Sequence, residues 1–128
     1  MRVLSTTLVL VVGVIHLLPV SGALSAGRLR ALYGVSVTDA SLLILMRHRA
    51  VLFGIVGGLL VASALRPSLR PVGLAVGLVS TLSFVLLASL GGGYNAELGR
   101  VVAVDLAASG ALVVVAVLDR LARSRAPA

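Results

Sequence analysis

Four apolar runs dominate the sequence, and each is long enough to cross a lipid bilayer. They extend over residues 3–20, 42–65, 72–90 and 101–118. A helix needs about 20 mostly apolar residues to span a hydrocarbon core of ~30 Å, where backbone polar groups must be satisfied internally. The sequence therefore predicts an all-α integral membrane protein. Residues 1–128 form one transmembrane domain of four antiparallel helices.

The composition excludes an ordinary soluble domain, because 59% of the residues are hydrophobic and only 12% are charged. The net charge of +7 comes from arginines alone, which occur in short clusters between the apolar runs. We expect these clusters to face lipid head groups, so the predicted partner is the bilayer and not nucleic acid. The absence of cysteine excludes disulfides and thiolate metal sites.

The segment at residues 24–34 is predicted to form a short helix at the membrane interface. Leu29, Leu32 and Tyr33 would share its apolar face, and Gly34 would end it. Asp39 or Thr38 is a candidate N-cap for the second span. The other two connectors are a turn with two prolines at residues 66–71 and a glycine-rich turn at residues 91–95.

Arginine counts favour both termini in the cytoplasm of a bacterial plasma membrane. With the N-terminus inside, the inner side holds six arginines: Arg2, Arg66, Arg70, Arg120, Arg123 and Arg125. The outer connectors hold three, Arg28, Arg30 and Arg100, or five if Arg47 and Arg49 are added. The alternative of a cleaved signal peptide at the first span is disfavoured, because signal peptides have apolar regions of only ~7–15 residues.

Ionisable residues inside the spans are the candidate functional residues, since each is costly in lipid and needs a partner. At ~1.5 Å per residue, His16, Arg49 and Asp105 fall in one layer of the predicted outer half. We expect Asp105 to accept hydrogen bonds from Arg49 or Arg47 and from His16. The predicted cluster consists of His16, Arg47, His48, Arg49 and Asp105. Its predicted rim consists of Asp39, Tyr94, Asn95, Glu97 and Arg100.

Three interpretations of this cluster are open. It could be a structural ion pair, which we favour, a ligand-binding or catalytic centre, or part of a proton or ion path. No cofactor is predicted. A metal site is not predicted either, because two histidines and one aspartate on different helices show no metal-ligand spacing.

Small residues at i and i+4 predict close helix contacts. The pairs are Gly54 with Gly58, Gly73 with Gly77, and Ala107 with Ala111. Packing within one chain is the favoured interpretation. A homodimer or a larger membrane complex is the alternative.

Several segments resemble a group of small actinobacterial and proteobacterial four-helix membrane proteins. The most specific is Met46-Arg47-His48-Arg49, with Leu32-Tyr33-Gly34 before it and Gly93-Tyr94-Asn95 after it. The group is distantly similar to the DoxX-like four-helix membrane proteins, which implies the same fold. Some members carry the label phosphopantetheine adenylyltransferase, an activity of soluble α/β proteins with a His-x-Gly-His phosphate loop. Neither histidine here begins such a loop, so that activity is not expected.

The sequence therefore leaves three function classes. The first is a non-enzymatic membrane protein, such as an accessory subunit or a binder of a small hydrophobic ligand. The second is a membrane enzyme that acts on a lipid or quinone-like substrate, with Asp105 or His16 as acid or base. The third is a transporter subunit.

Overall fold

Helices account for nearly all of the chain in the computed structural model, which describes residues 2–124. The first spanning segment is α1, Arg2–Leu17, extended by a 3₁₀ helix at Leu18–Ala23. The short helix α2 follows at Ala26–Tyr33, and α3 at Ala40–Leu65. A second 3₁₀ turn, Pro67–Leu69, leads into α4, Arg70–Leu90, and α5 covers Ala96–Ser124. Within the described residues there is no β-strand.

Four of these segments are long and apolar enough to cross a membrane. They are Arg2–Ala23, Ala40–Leu65, Pro67–Leu90 and Ala96–Ser124. Many large apolar side chains on them are exposed, such as Val3, Val79 and Leu87. Soluble proteins seldom expose so much apolar surface, so these four helices indicate a protein embedded in a membrane.

Local sequence signals set the helix ends. Asp39 Oδ1 accepts a hydrogen bond from the Leu42 amide at 2.7 Å, which caps α3 as predicted for this position. Asn95 Oδ1 accepts from the Leu98 amide at 2.8 Å in the same way at the start of α5. Pro71 lies in the first turn of α4, where its missing N–H costs nothing.

The predicted interfacial segment is helical, and Gly34 ends it. Ser25 caps α2 through its hydroxyl, and Leu29 and Tyr33 are buried. Gly34 has φ of 66°, a left-handed conformation that glycine adopts without strain. Its backbone N–H donates to the Arg30 carbonyl oxygen at 2.8 Å. The helix is therefore fixed at both ends by side-chain and glycine capping.

The four long helices pack in the order α1, α3, α4, α5, and α5 also contacts α1. The shared apolar core consists of Val9, Val12, Leu60, Ala64, Leu74, Ala108, Leu112 and Val115. Between α4 and α5, Ser109 Oγ and Thr81 Oγ1 form a buried hydrogen bond of 2.7 Å. Such hydroxyl contacts join helices where the hydrophobic effect gives no driving force.

The bundle has two ends that hold different side chains. At one, which we call the Arg70 end, Arg2, Ala64, Arg70 and Asp119 line one cavity. At the other, which we call the Tyr33 end, α2 covers a second cavity that lies between α1 and α5.

Candidate functional site

The cavity at the Tyr33 end has a volume of about 290 Å³, and both His16 and Asp105 line it. Most of its lining is apolar. The lining residues are Ile15, His16, Leu18, Pro19, Ala31, Leu32, Tyr33, Phe53, Glu97, Arg100, Val101, Val104 and Asp105. A largely apolar cavity with a few convergent polar groups is the usual form of a small-molecule site.

His16 is buried beneath this cavity, with 2% of its surface exposed. Its Nδ1 donates a hydrogen bond to the Val12 carbonyl oxygen at 2.9 Å, since a carbonyl can only accept. In the neutral imidazole Nε2 is then the acceptor, and this buried atom has no hydrogen-bond partner among the described residues. The imidazole packs against Phe53, with ring centroids 5.9 Å apart.

Arg49 lies among aromatic rings. Its Cζ is 4.7 Å from the ring centroid of Phe53, 5.2 Å from that of Tyr33 and 5.3 Å from that of Phe84. The electron-rich faces of aromatic rings attract a cation at these distances. Three of the four aromatic side chains of the protein therefore surround this guanidinium.

The predicted hydrogen bonds from Arg49, Arg47 and His16 to Asp105 are not formed. Asp105 is 6% exposed and lines the cavity, and within residues 2–124 its carboxylate takes part in no salt bridge. The structure thus brings His16 and Asp105 to one cavity, while Arg49 and His16 both pack against the Phe53 ring. Depth along the spans placed these groups in one layer but did not fix the rotation of each helix.

The remaining residues of the predicted cluster are on the outside of α3. Arg47 Nε donates to the Ala23 carbonyl oxygen at 2.6 Å, which attaches the first 3₁₀ segment to α3. His48 is exposed. Neither residue lines the cavity.

Two of the five predicted rim residues line the cavity, and the other three do not. Glu97 and Arg100 line the cavity and form an ion pair of 3.3 Å. Asn95 Nδ2 donates to the Tyr33 carbonyl oxygen at 2.8 Å, which holds the end of α2 against the start of α5. Tyr94 is half exposed and Asp39 caps α3, and neither lines the cavity.

Glycines occupy the closest helix contacts, though not all at the predicted pairs. A Cβ at Gly77 would lie 2.9 Å from Leu112 Cδ1, and one at Gly73 would overlap the Ser63 hydroxyl. A Cβ at Gly54 would lie 3.1 Å from Val20, whereas one at Gly58 would meet nothing within 4 Å. The alanines of the third pair, Ala107 and Ala111, differ in burial, exposed and intermediate respectively.

The tightest contact between α1 and α3 was not predicted. A Cβ at Gly57 would lie 2.8 Å from Leu17 Cδ2 and 2.9 Å from the Gly13 carbonyl oxygen. Gly13 and Gly57 belong to different helices, so no spacing within one helix reveals their contact. The sequence showed only that each glycine lies in a long apolar run, where a small residue allows a close helix contact.

Arg70 has a packing role that its sequence context did not predict, beyond its contribution to the arginine count. Its Nε donates to the Ser63 carbonyl oxygen at 2.9 Å, and its Nη2 to the Ala64 carbonyl oxygen at 3.2 Å and the Thr6 hydroxyl at 3.4 Å. Its Nη1 lies 3.9 Å from Asp119 Oδ2. One side chain of α4 therefore satisfies carbonyls at the end of α3 and contacts α1 and α5 as well.

The described residues offer no group of metal ligands. Over residues 2–124 no three His, Cys, Asp or Glu side chains are grouped so that they could hold a metal ion.

No protein family, curated protein or solved structure matches the sequence. The resemblance to the Met-Arg-His-Arg group and to DoxX-like proteins therefore stays a prediction.

Proposed function

We propose that the chain crosses a bacterial plasma membrane four times as an antiparallel bundle, with both termini in the cytoplasm. The four long apolar helices support insertion. The excess of arginine at the Arg70 end supports this orientation under the positive-inside rule. The Tyr33 end then faces the outer side, and α2 lies at the outer interface.

We further propose that the protein binds a small, mainly apolar molecule in the cavity at the Tyr33 end, without changing it chemically. The observation that carries this proposal is the cavity itself, about 290 Å³ in volume and lined by both His16 and Asp105. A cluster that served only to pack the helices would be closed and fully paired. Here the His16 Nε2 and the Asp105 carboxylate are not paired with each other or with Arg49.

The polar groups of the cavity define the polar part of the ligand. Neutral His16 offers an acceptor at Nε2, and an ionised Asp105 offers only acceptors. A ligand with an apolar body and a hydroxyl or another hydrogen-bond donor matches this arrangement. Because unmatched polar groups in a buried site cost free energy, such a donor would contribute to affinity.

Two parts of the chain would control access to this ligand. Helix α2 covers the cavity with Ala31, Leu32 and Tyr33, and α5 contributes the Glu97–Arg100 ion pair. The bond from Asn95 to the Tyr33 carbonyl oxygen keeps this cover in place. The cavity is partly open, and a movement of α2 would widen the entrance for a ligand.

A membrane enzyme is the second candidate, and it has one specific observation in its favour. His16 and Asp105 are two proton-exchanging groups on facing helices around a single cavity. They could act as base and acid on a lipid or quinone-like substrate. Chemical change of the bound molecule during incubation would distinguish this function from binding alone.

The cavity proposal is tested by small molecules that copurify with the protein. Val104→Trp places a bulky ring in the cavity wall, and Val113→Trp makes the same change at an exposed position of the same helix. We expect mass spectrometry to find one molecule with the wild type and Val113→Trp, and to find it absent from Val104→Trp. Equal retention by both variants, or no molecule other than bulk phospholipid with the wild type, would contradict the proposal.

Association with other chains stays a prediction. Gly110 has open space where a side chain would be, and it is exposed. Exposed glycines let a second helix approach closely in lipid. A homodimer or a larger membrane complex would use such surfaces.

A further inference from the structure

The cavity at the Arg70 end has a volume of about 360 Å³ and an excess of positive charge. Three arginines, Arg2, Arg70 and Arg123, line it together with one acidic residue, Asp119. Its lining therefore carries two more positive than negative charges. Like charges that share a cavity repel one another unless an anion is present, so this lining favours an anionic occupant.

The burial of Arg70 adds to this excess charge. The residue is 8% exposed, and its Nη1 is shielded from solvent and has no hydrogen-bond partner within residues 2–124. Asp119 Oδ2 is 3.9 Å from Nη1, too far for a hydrogen bond. A buried guanidinium with a loosely placed counterion raises the positive potential of the adjoining space, because its surroundings screen charge poorly.

The first turn of α4 forms another wall of the cavity through Pro71 and Leu74. Its backbone amides are not free donors. The Leu69 N–H donates to the Arg66 carbonyl oxygen at 2.9 Å, the Arg70 N–H donates to the Pro67 carbonyl oxygen, and Pro71 has no N–H. The attraction for an anion therefore comes from the arginines.

We propose that this cavity binds the phosphate-bearing head group of an anionic phospholipid. Phosphate oxygens would accept hydrogen bonds from Arg2 and Arg123, and the buried charge of Arg70 would attract the phosphate from behind. The apolar members of the lining, such as Ala64, Leu74 and Ala122, suit a lipid better than free phosphate. Val3 and Val72, which follow the lining residues Arg2 and Pro71 in sequence, are exposed and would provide an apolar surface for acyl chains. Basic pockets between spanning helices bind anionic head groups in this manner.

The test measures lipid binding to the full-length protein by native mass spectrometry from detergent micelles. Phosphatidylglycerol and phosphatidylcholine are titrated separately, with inorganic phosphate as a competitor. The test variant is the double substitution Arg2→Gln with Arg123→Gln. The control is Arg66→Gln with Arg120→Gln, which removes the same charge from exposed residues that do not line the cavity.

We expect the wild type and the control to bind phosphatidylglycerol in preference to phosphatidylcholine. The test variant should bind phosphatidylglycerol more weakly, by about fivefold for each arginine removed. An equal loss in the control would show general surface attraction and would overturn the proposal. Displacement of phosphatidylglycerol by inorganic phosphate at similar concentrations would overturn the assignment to a lipid.

Discussion

The guanidinium of Arg49 packs over the ring of Phe53, 4.7 Å from its centroid, and is not paired with Asp105. Phe53 follows Arg49 by one helical turn, so both side chains lie on one face of α3. The Phe53 ring also contacts the His16 imidazole, with ring centroids 5.9 Å apart. The Arg49 guanidinium, in the predicted outer half, is thus stabilised by aromatic faces. The Asp105 carboxylate lines the cavity without a salt bridge to Arg49.

This arrangement predicts coupling between Arg49 and Phe53 in stability. In a double-mutant cycle of Arg49→Gln and Phe53→Leu, we expect an interaction energy of about 1 kcal/mol, because each substitution removes the same cation–ring contact. Unfolding in mixed micelles, followed by circular dichroism, measures it. The control cycle replaces Arg49→Gln by Arg47→Gln, since Arg47 bonds to Ala23 instead. Equal coupling energies in both cycles would show that the coupling does not come from the contact between Arg49 and the Phe53 ring.

Asp105→Asn should change the free energy of unfolding by about 1 kcal/mol or less. Loss of one member of a buried ion pair would cost about 3–5 kcal/mol, but Asp105 forms no salt bridge in the described chain. The matched comparison is Asp119→Asn on the same helix, which removes the carboxylate nearest to Arg70 Nη1. Because that pair is 3.9 Å apart, is partly exposed and leaves Arg70 its other acceptors, we expect a loss of about 1 kcal/mol there. A larger loss for Asp105→Asn than for Asp119→Asn would indicate a structural ion pair after all.

Gly57→Ala should destabilise the bundle by about 1–3 kcal/mol, because the added methyl group would force α1 and α3 apart. The contacting Gly13 carbonyl is backbone and cannot rotate away. Gly58→Ala is the control at the next residue, where a Cβ meets open space. Thermal unfolding in the same detergent should show little change for that variant, or a small gain. Similar midpoints for the two variants would mean that α1 and α3 do not cross here.

Gly34→Ala should loosen α2 from α5. The substitution strains a residue with φ of 66°, and its Cβ would lie 2.7 Å from Glu97 Oε2 and 2.9 Å from Asn95 Nδ2. We expect amide hydrogens of α2 to exchange about five- to tenfold faster, which corresponds to roughly 1 kcal/mol. Gly27→Ala, in the same helix and with only an ordinary contact to Ser25, should leave the exchange rates unchanged or lower them. Unaltered exchange rates in Gly34→Ala would show that the contact between the end of α2 and the start of α5 does not hold α2 over the cavity.

Much of the helical layout was predictable because each signal acts locally. The four long helices follow from apolar runs, and the Asp39 cap and the Gly34 end follow from residue types with specific backbone roles. Helix bounds differ by a few residues, mainly since polar ends such as Arg100 and Arg120 continue helices beyond their apolar parts.

The candidate site was predictable only in part. His16 and Asp105 were chosen by their depth, and the structure places both at one cavity. The partner of Arg49 was not predictable from depth, because an aromatic face at i+4 competes with a carboxylate on another helix. Arg70 was missed because its role depends on carbonyls at the end of α3 and on Thr6 and Asp119, which are distant in sequence.

The bonds of Arg70 also bear on the order in which the protein assembles. Its acceptors at Ser63 and Ala64 are seven and six residues away, so this part of the arrangement can form as soon as α3 and α4 have been synthesised. Contacts that close short loops form sooner than those between distant segments. The contact with Thr6 requires α1, which is synthesised before α3, to pack against this pair, and the contact with Asp119 requires α5, which is synthesised last. The pair of α3 and α4 is therefore expected to be the unit onto which α1 and α5 dock as the protein assembles.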